Sequence, residues 1–184
     1  MTLRGLTVQR ISAALLAVTV LTGCPRVLYL DYQPSASIKG SGPVRVDAFT
    51  YAGHPTGLMQ QKEVKSGEQD PEVLYLSQDI GDFFAAALKK ELTRAGYELG
   101  GDSSRAVSGT IDQFYLDYVG RQDQRFKIEA TFRVVRQDGQ PFTTSCRSEQ
   151  QQVKDWMKSG SLIERGVRDC IEAFVNEAQA AGAL

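Results

Sequence analysis

One histidine, His54, is all the imidazole in this 184-residue sequence. It stands beside Pro55 in a polar stretch with no nucleophile pattern near it, the setting of a solvated loop residue rather than a catalyst. No Cys-x-x-Cys, His-Glu-x-x-His or Gly-x-Ser-x-Gly occurs, so redox, zinc and serine-hydrolase chemistry have no motif to rest on. Gly40-Ser41-Gly42 lacks a preceding strand and a third glycine in place, and reads as linker, not as a phosphate loop. Positive charge is not in excess either, with 21 Lys and Arg against 22 Asp and Glu. Phosphate binding needs a concentrated basic face, so nucleic acid is not an expected partner. These absences together predict a protein that is not an enzyme and carries no cofactor or metal.

The most specific feature lies at the N-terminus. Arg4 and Arg10 precede an apolar run, Ile11 to Val20, that is well short of the roughly 20 residues a membrane-spanning helix requires. Leu21-Thr22-Gly23-Cys24 follows, the pattern of a bacterial lipobox. The spacing has a chemical reason: the thiol must accept a diacylglyceryl group before cleavage between small residues. An ordinary signal peptide that happens to end near a cysteine is the competing reading. The expected organisation is a signal peptide over 1–23, a lipidated N-terminus and tether over 24–43, and a folded domain over 44–184. Similarity to bacterial lipoproteins in general implies that Cys24 is also N-acylated, and several chains anchor stably where one is marginal. Residue 25 is Pro rather than the Asp that retains enteric lipoproteins at the inner membrane, which favours the outer membrane with the domain in the periplasm. Cleavage removes two of the 21 basic residues and no acid, leaving 19 against 22 and a net charge of −3.

Residues 25–43 carry three prolines and Gly-Ser-Gly-Pro, the composition of a tether able to reach about 60 Å when extended. Val27 to Leu30 is too apolar for a free linker and is expected against the domain or near lipid headgroups. Val44, Val46 and Ala48 alternate with Arg45 and Asp47, as in a half-buried strand. Residues 52–71 read as a long polar loop. A helix is predicted over 78–95 from Ile80, Phe83, Phe84, Ala87, Leu88 and Leu92, with Gly96 as its stop. Strands follow at about 106–119, 124–137 and 141–151. In the second, Phe126, Ile128, Ala130, Phe132 and Val134 share one face, and Lys127, Glu129 and Arg133 the other. Ser161 and Glu164 suggest a capping box for a last helix with stripe Ile163, Val167, Cys170, Ile171, Phe174, Val175 and Ala178. The fold class is α+β, a two-layer sandwich with two helices packed on one face of an antiparallel sheet.

Two details of register are open to argument. At the Asp138-Gly139 turn, a three-residue connection that keeps one face buried pairs Phe132 with Cys146 and Val134 with Thr144. Asp112 and Asp117, five residues apart, face opposite sides if the strand is regular. Phe114, Tyr115 and Tyr118 read mainly as packing residues, with a ligand or partner patch as the alternative. With Cys24 taken by lipid, Cys146 and Cys170 either pair or remain free as small buried hydrophobes; both fall on core faces, and the periplasm favours a disulfide.

From residue 44 to 178 the element order resembles that of YajG-type bacterial lipoproteins. These share a lipobox, an N-terminal strand, a helix ending in a Gly-Tyr step (here Ala95-Gly96-Tyr97), a meander and a C-terminal helix. The stretch Leu88–Leu99, LKKELTRAGYEL, carries the similarity. The lipopolysaccharide-assembly lipoprotein LptE is similar in architecture, although this chain has no basic patch for lipopolysaccharide and follows its lipobox with Pro25-Arg26. The resemblance implies an envelope location and a fold, not an activity. The expected role is a non-enzymatic, lipid-anchored interaction module in envelope assembly or maintenance, with the membrane and an envelope protein as partners. The alternative is a lipid- or glycolipid-binding lipoprotein of an envelope transport system.

The anchor reading is directly testable. Cys24→Ser should abolish incorporation of labelled palmitate and leave an uncleaved or mislocalised precursor. Continued labelling of that variant in the membrane fraction would overturn it.

Overall fold

The computed structural model of the chain describes residues 26–53, 60–64, 74–119, 123–136, 138–153 and 158–184. The signal segment, Cys24, His54 and much of the stretch expected as a long loop lie outside these residues. Strands β1 (Arg26–Leu28), β2 (Gly42–Tyr51), β3 (Glu63–Val64) and β4 (Leu74–Leu76) precede helix α1 (Ile80–Ala95). Strands β5 (Tyr97–Leu99), β6 (Ala106–Val119), β7 (Asp123–Val135) and β8 (Pro141–Val153) lead to helix α2 (Ser159–Ala180). A five-stranded sheet runs β5-β2-β6-β7-β8, and a small second sheet runs β1-β4-β3. Both helices pack on the large sheet, so the α+β layered architecture holds.

That sheet is mixed, which corrects the all-antiparallel expectation. Strand β2 pairs parallel with both β5 and β6. Helix α1 returns the chain to the starting end of β2, so the strands after it run in the same direction. Alternation along a strand reports its faces and carries no information on its direction. β6, β7 and β8 form the antiparallel meander.

The helices form where their apolar stripes predict. Gly96 closes α1 at φ 103°, with its N–H on the carbonyls of Leu92 and Thr93. Helix α2 starts two residues before the expected capping box, and the Ser161 hydroxyl donates to the Lys158 carbonyl in the first turn. Buried Ser159 instead pins that end by exchanging hydrogen bonds with the buried Gln124 side chain on β7. Between the layers, Phe49 meets Phe84 and Phe132, and Phe132 stacks on Phe174 with ring centroids 3.9 Å apart. These rings are fully or nearly fully buried.

The β7–β8 register differs by two residues from the expected one. Ala130 faces Cys146, Phe132 faces Thr144 and Val134 faces Phe142. The turn closes at Arg136 and Gln140, where the Asp138 carboxylate accepts the Gln140 N–H at 2.9 Å. A shift of two preserves the faces, so Cys146 remains inside. It is bonded to Cys170, with Cα atoms 5.2 Å apart, within the span a disulfide bridges without backbone movement. In the chain-entropy account this closure stabilises by about 3 kcal/mol.

Gly81, in the first turn of α1, marks the tightest approach of helix to sheet. A Cβ there would lie 2.2 Å from the Phe49 carbonyl oxygen on β2. Helix propensity alone would favour alanine by up to about 1 kcal/mol, whereas forcing the helix off the sheet costs about 1–3 kcal/mol. Gly81→Ala should therefore lower the urea midpoint. An unchanged or raised midpoint would mean that α1 is not seated on β2 at this point.

Candidate functional site

Residues 29–41, expected as tether, instead form a strap that lies between the two helices from Tyr32 onward. Tyr32, Ala36 and Ile38 are buried. Contacts run down both sides in order. On α1, Lys90 Nζ donates to the Tyr32 carbonyl at 2.8 Å, and Gly40 N–H reaches the Ala95 carbonyl at 2.9 Å. On α2, Arg168 donates to the Gln33 carbonyl, Glu172 accepts the Ser37 N–H at 3.2 Å, and Gln179 donates to the Lys39 carbonyl at 2.7 Å. The prolines and small residues that suggested a linker suit a chain in extended form with few bulky side chains to seat.

Glu91 is the centre of this arrangement. It is 0% exposed and accepts the Tyr32 hydroxyl at 2.6 Å, the Ser35 N–H at 3.0 Å and the Ala36 N–H at 3.1 Å. Arg168 of α2 stands 3.8 Å away and also lies over the Tyr32 ring. Burial, reinforced by the Glu91 carboxylate, pushes the Tyr32 phenol far above its ordinary range, so it remains a donor. One carboxylate thus joins strap, α1 and α2. Sequence reading missed it, although the signal was present. Phe84, Leu88, Glu91 and Ala95 repeat at helical spacing, which puts the acid on the buried stripe.

The outer face of the large sheet is a ladder of charges. Arg125 lies 3.5 Å from Asp117 and 3.6 Å from Glu149, Lys127 lies 3.3 Å from Glu149, and Arg147 lies 3.1 Å from Glu129. Asp112 and Asp117 share this face, contrary to the regular-strand expectation. A bulge between Ile111 and Gln113 inserts one extra residue, and the Asp112 carboxylate accepts the Thr131 hydroxyl at 2.8 Å. Phe114 is buried in the core, Tyr115 is half-buried on the outer face, and the side chain of Tyr118 lies outside the description. Among the described residues β8 pairs with β7 alone, so thirteen residues form a sheet edge.

No three metal-ligating side chains gather among the described residues. Beside β5, an open depression of about 310 Å³ is lined by Val44, Arg45, Lys89 and Leu99. Its Arg45 is already engaged by Asp47 at 2.7 Å.

No protein-family model matches the chain, and no curated protein matches it significantly. Solved structures do share its fold. A Xanthomonas campestris protein of family DUF330 superposes with a TM-score of 0.59 at 13% identity, covering 85% of this chain and 96% of that one. An uncharacterized protein superposes with a TM-score of 0.60 at 12% identity, over 83% and 98% of the two chains. A minor lipoprotein from Acinetobacter baumannii gives 0.40 at 11% identity, over 76% and 93%. At these identities the first two likenesses extend to fold alone.

Removing the Glu91 carboxylate should release the strap. Glu91→Ala leaves the buried Tyr32 hydroxyl and Ala36 N–H without an acceptor and takes away the carboxylate beside Arg168, at a cost of about 3–5 kcal/mol. Glu91→Gln keeps the shape and should cost about 1–3 kcal/mol. Urea denaturation measures both, and limited proteolysis should cut 31–40 first in each variant. Wild-type protease resistance of that segment in Glu91→Ala would contradict the assignment.

Proposed function

We propose that this chain is a lipoprotein of the bacterial envelope, attached through Cys24 to the periplasmic face of the outer membrane. It acts without catalysis as an interaction module in envelope assembly or maintenance. The compartment is inferred from Leu21–Cys24, from Pro25, and from the Cys146–Cys170 disulfide, which suits an oxidising space.

The observation that carries the interaction role is the β8 edge. Along its thirteen residues every second one turns its backbone N–H and C=O away from β7 and toward a further strand, and natural proteins usually shorten, bulge or cover such an edge. Its outward side chains, from Thr143 through Arg147, Glu149 and Gln151, are polar. Polar side chains oppose indiscriminate aggregation and leave main-chain pairing with a matched protein strand available. The alternative role of lipid or glycolipid carrier requires room between helices and sheet. Stacked Phe132 and Phe174 fill that layer, and the strap fills the groove between the helices.

A photo-crosslinking residue placed at Arg147 or Glu149 in intact cells should capture a discrete envelope protein. The same residue at Gly100, on the opposite edge of the sheet, should not. Equal capture from both edges, or none from β8 in a protein that remains abundant and membrane-bound, would overturn the edge as the partner surface.

A further inference from the structure

The strap has a consequence for how the domain stands relative to the lipid. Cys24 is two residues from Arg26, which at full extension is about 7 Å. From Arg26 the chain is already structured, pairing in parallel with β4 through Arg26–Leu74 and Leu28–Leu76. Leu30 then touches the start of α2, where a Cβ on Gly160 would lie 3.0 Å from its Cδ2. A tether of the expected 60 Å therefore does not exist, and one end of the domain must sit within a few ångströms of the anchor.

That same end gathers exposed apolar side chains. Four large hydrophobic residues are conspicuously exposed among the described ones: Val27 at 41%, Tyr29 at 84%, Leu99 at 42% and Val153 at 72%. Val27 and Tyr29 follow Cys24 by three and five residues in the chain. Val153 ends β8 beside Gln152, whose side chain donates to the Lys158 carbonyl at the start of α2. The first turn of α2 thus lies between Leu30 and Gln152 and brings Tyr29 and Val153 to one end. Only Leu99 lies at the other end, by the start of β2.

We propose that this end of the domain is itself a membrane-contact surface, with Val27, Tyr29 and Val153 entering the headgroup region of a phospholipid bilayer. The inference rests on the lipid-anchored reading above and adds to it an orientation. A tyrosine at the water–lipid boundary places its ring in the apolar side and its hydroxyl in the wet side. Affinity of the patch alone need not be high. The anchor holds it at the surface, so its contacts form at a high effective concentration.

The test uses the full-length lipidated protein in vesicles of phosphatidylethanolamine and phosphatidylglycerol with brominated acyl chains. Trp156, the single tryptophan, is replaced by Phe, and one reporter is introduced at a time as Tyr29→Trp, Val153→Trp or Leu99→Trp. Reporters at 29 and 153 should shift to the blue and be quenched roughly threefold more strongly than the one at 99, as expected for side chains within the 5–10 Å interfacial depth. All three sites are exposed and tolerate the larger ring, and having two reporters guards against one variant folding poorly. Equal quenching at 29, 153 and 99, or none at any, in protein that floats with the vesicles would overturn the contact surface while leaving the anchor intact. Protein that lacks the acyl mass and does not float would overturn the anchor and the orientation together.

Discussion

The domain depends on a carboxylate shut off from solvent. Glu91 is held by a phenol, two backbone N–H groups and a nearby guanidinium, which come from two other segments. Burying a lone carboxylate is prohibitive, so the three segments must arrive together. The helices make few direct contacts with one another along their lengths, and the strap is what fills the space between them. An apolar residue at position 91 would leave the Tyr32 hydroxyl and the Ala36 N–H without their acceptor, and it would not fix where along the groove the strap lies. The carboxylate sets that register by selecting the N–H groups of Ser35 and Ala36.

This explains which parts of the fold were legible in the sequence. The two helical stripes and the even-numbered face of β7 were, because burial at period 3.6 or 2 leaves a mark in residue type. The nearness of Cys146 and Cys170 was legible for the same reason, since two independent periodicities place both on core faces. Glu91 shares its stripe with Phe84, Leu88 and Ala95, but a carboxylate is a residue type that ordinarily marks a solvated position, so spacing and residue type pointed in opposite directions there. The strap was hidden by composition. Pro, Ser and Gly mark a chain without regular structure, which is equally true of a free linker and of an extended segment seated in a groove.

Residue pattern left two kinds of feature open: offsets along a strand, which leave the faces unchanged or change them locally, and the direction of a strand. The β7–β8 shift by two residues moved every partner but no face, so pattern could not detect it. The bulge at Asp112 added one residue and brought both aspartates to the outer face, where pattern suggested opposite sides. The parallel pairing of β2 came from the route of α1 and not from any residue in β2. In each case the decisive information was a turn geometry or a connection, set by few residues and by long-range packing.

With the anchor proposed at Cys24, strap and edge would together give the domain a direction. Both helices begin at the end next to Arg26, and β8 finishes there at Val153 after starting at Pro141 near the far end. Thirteen residues of β8 span about 40 Å at strand rise. If the Arg26 end rests on lipid, this edge rises from the bilayer as a wall, with its charged face of Arg147 and Glu149 turned sideways. A partner strand that added to it would also run along the membrane normal, and would reach the lipid surface at one end. A domain on a long tether would present the same edge at every angle. A domain held two residues from acyl chains on Cys24, as proposed, would present it in one, which would remove most of the orientational search that otherwise slows docking of two specific patches.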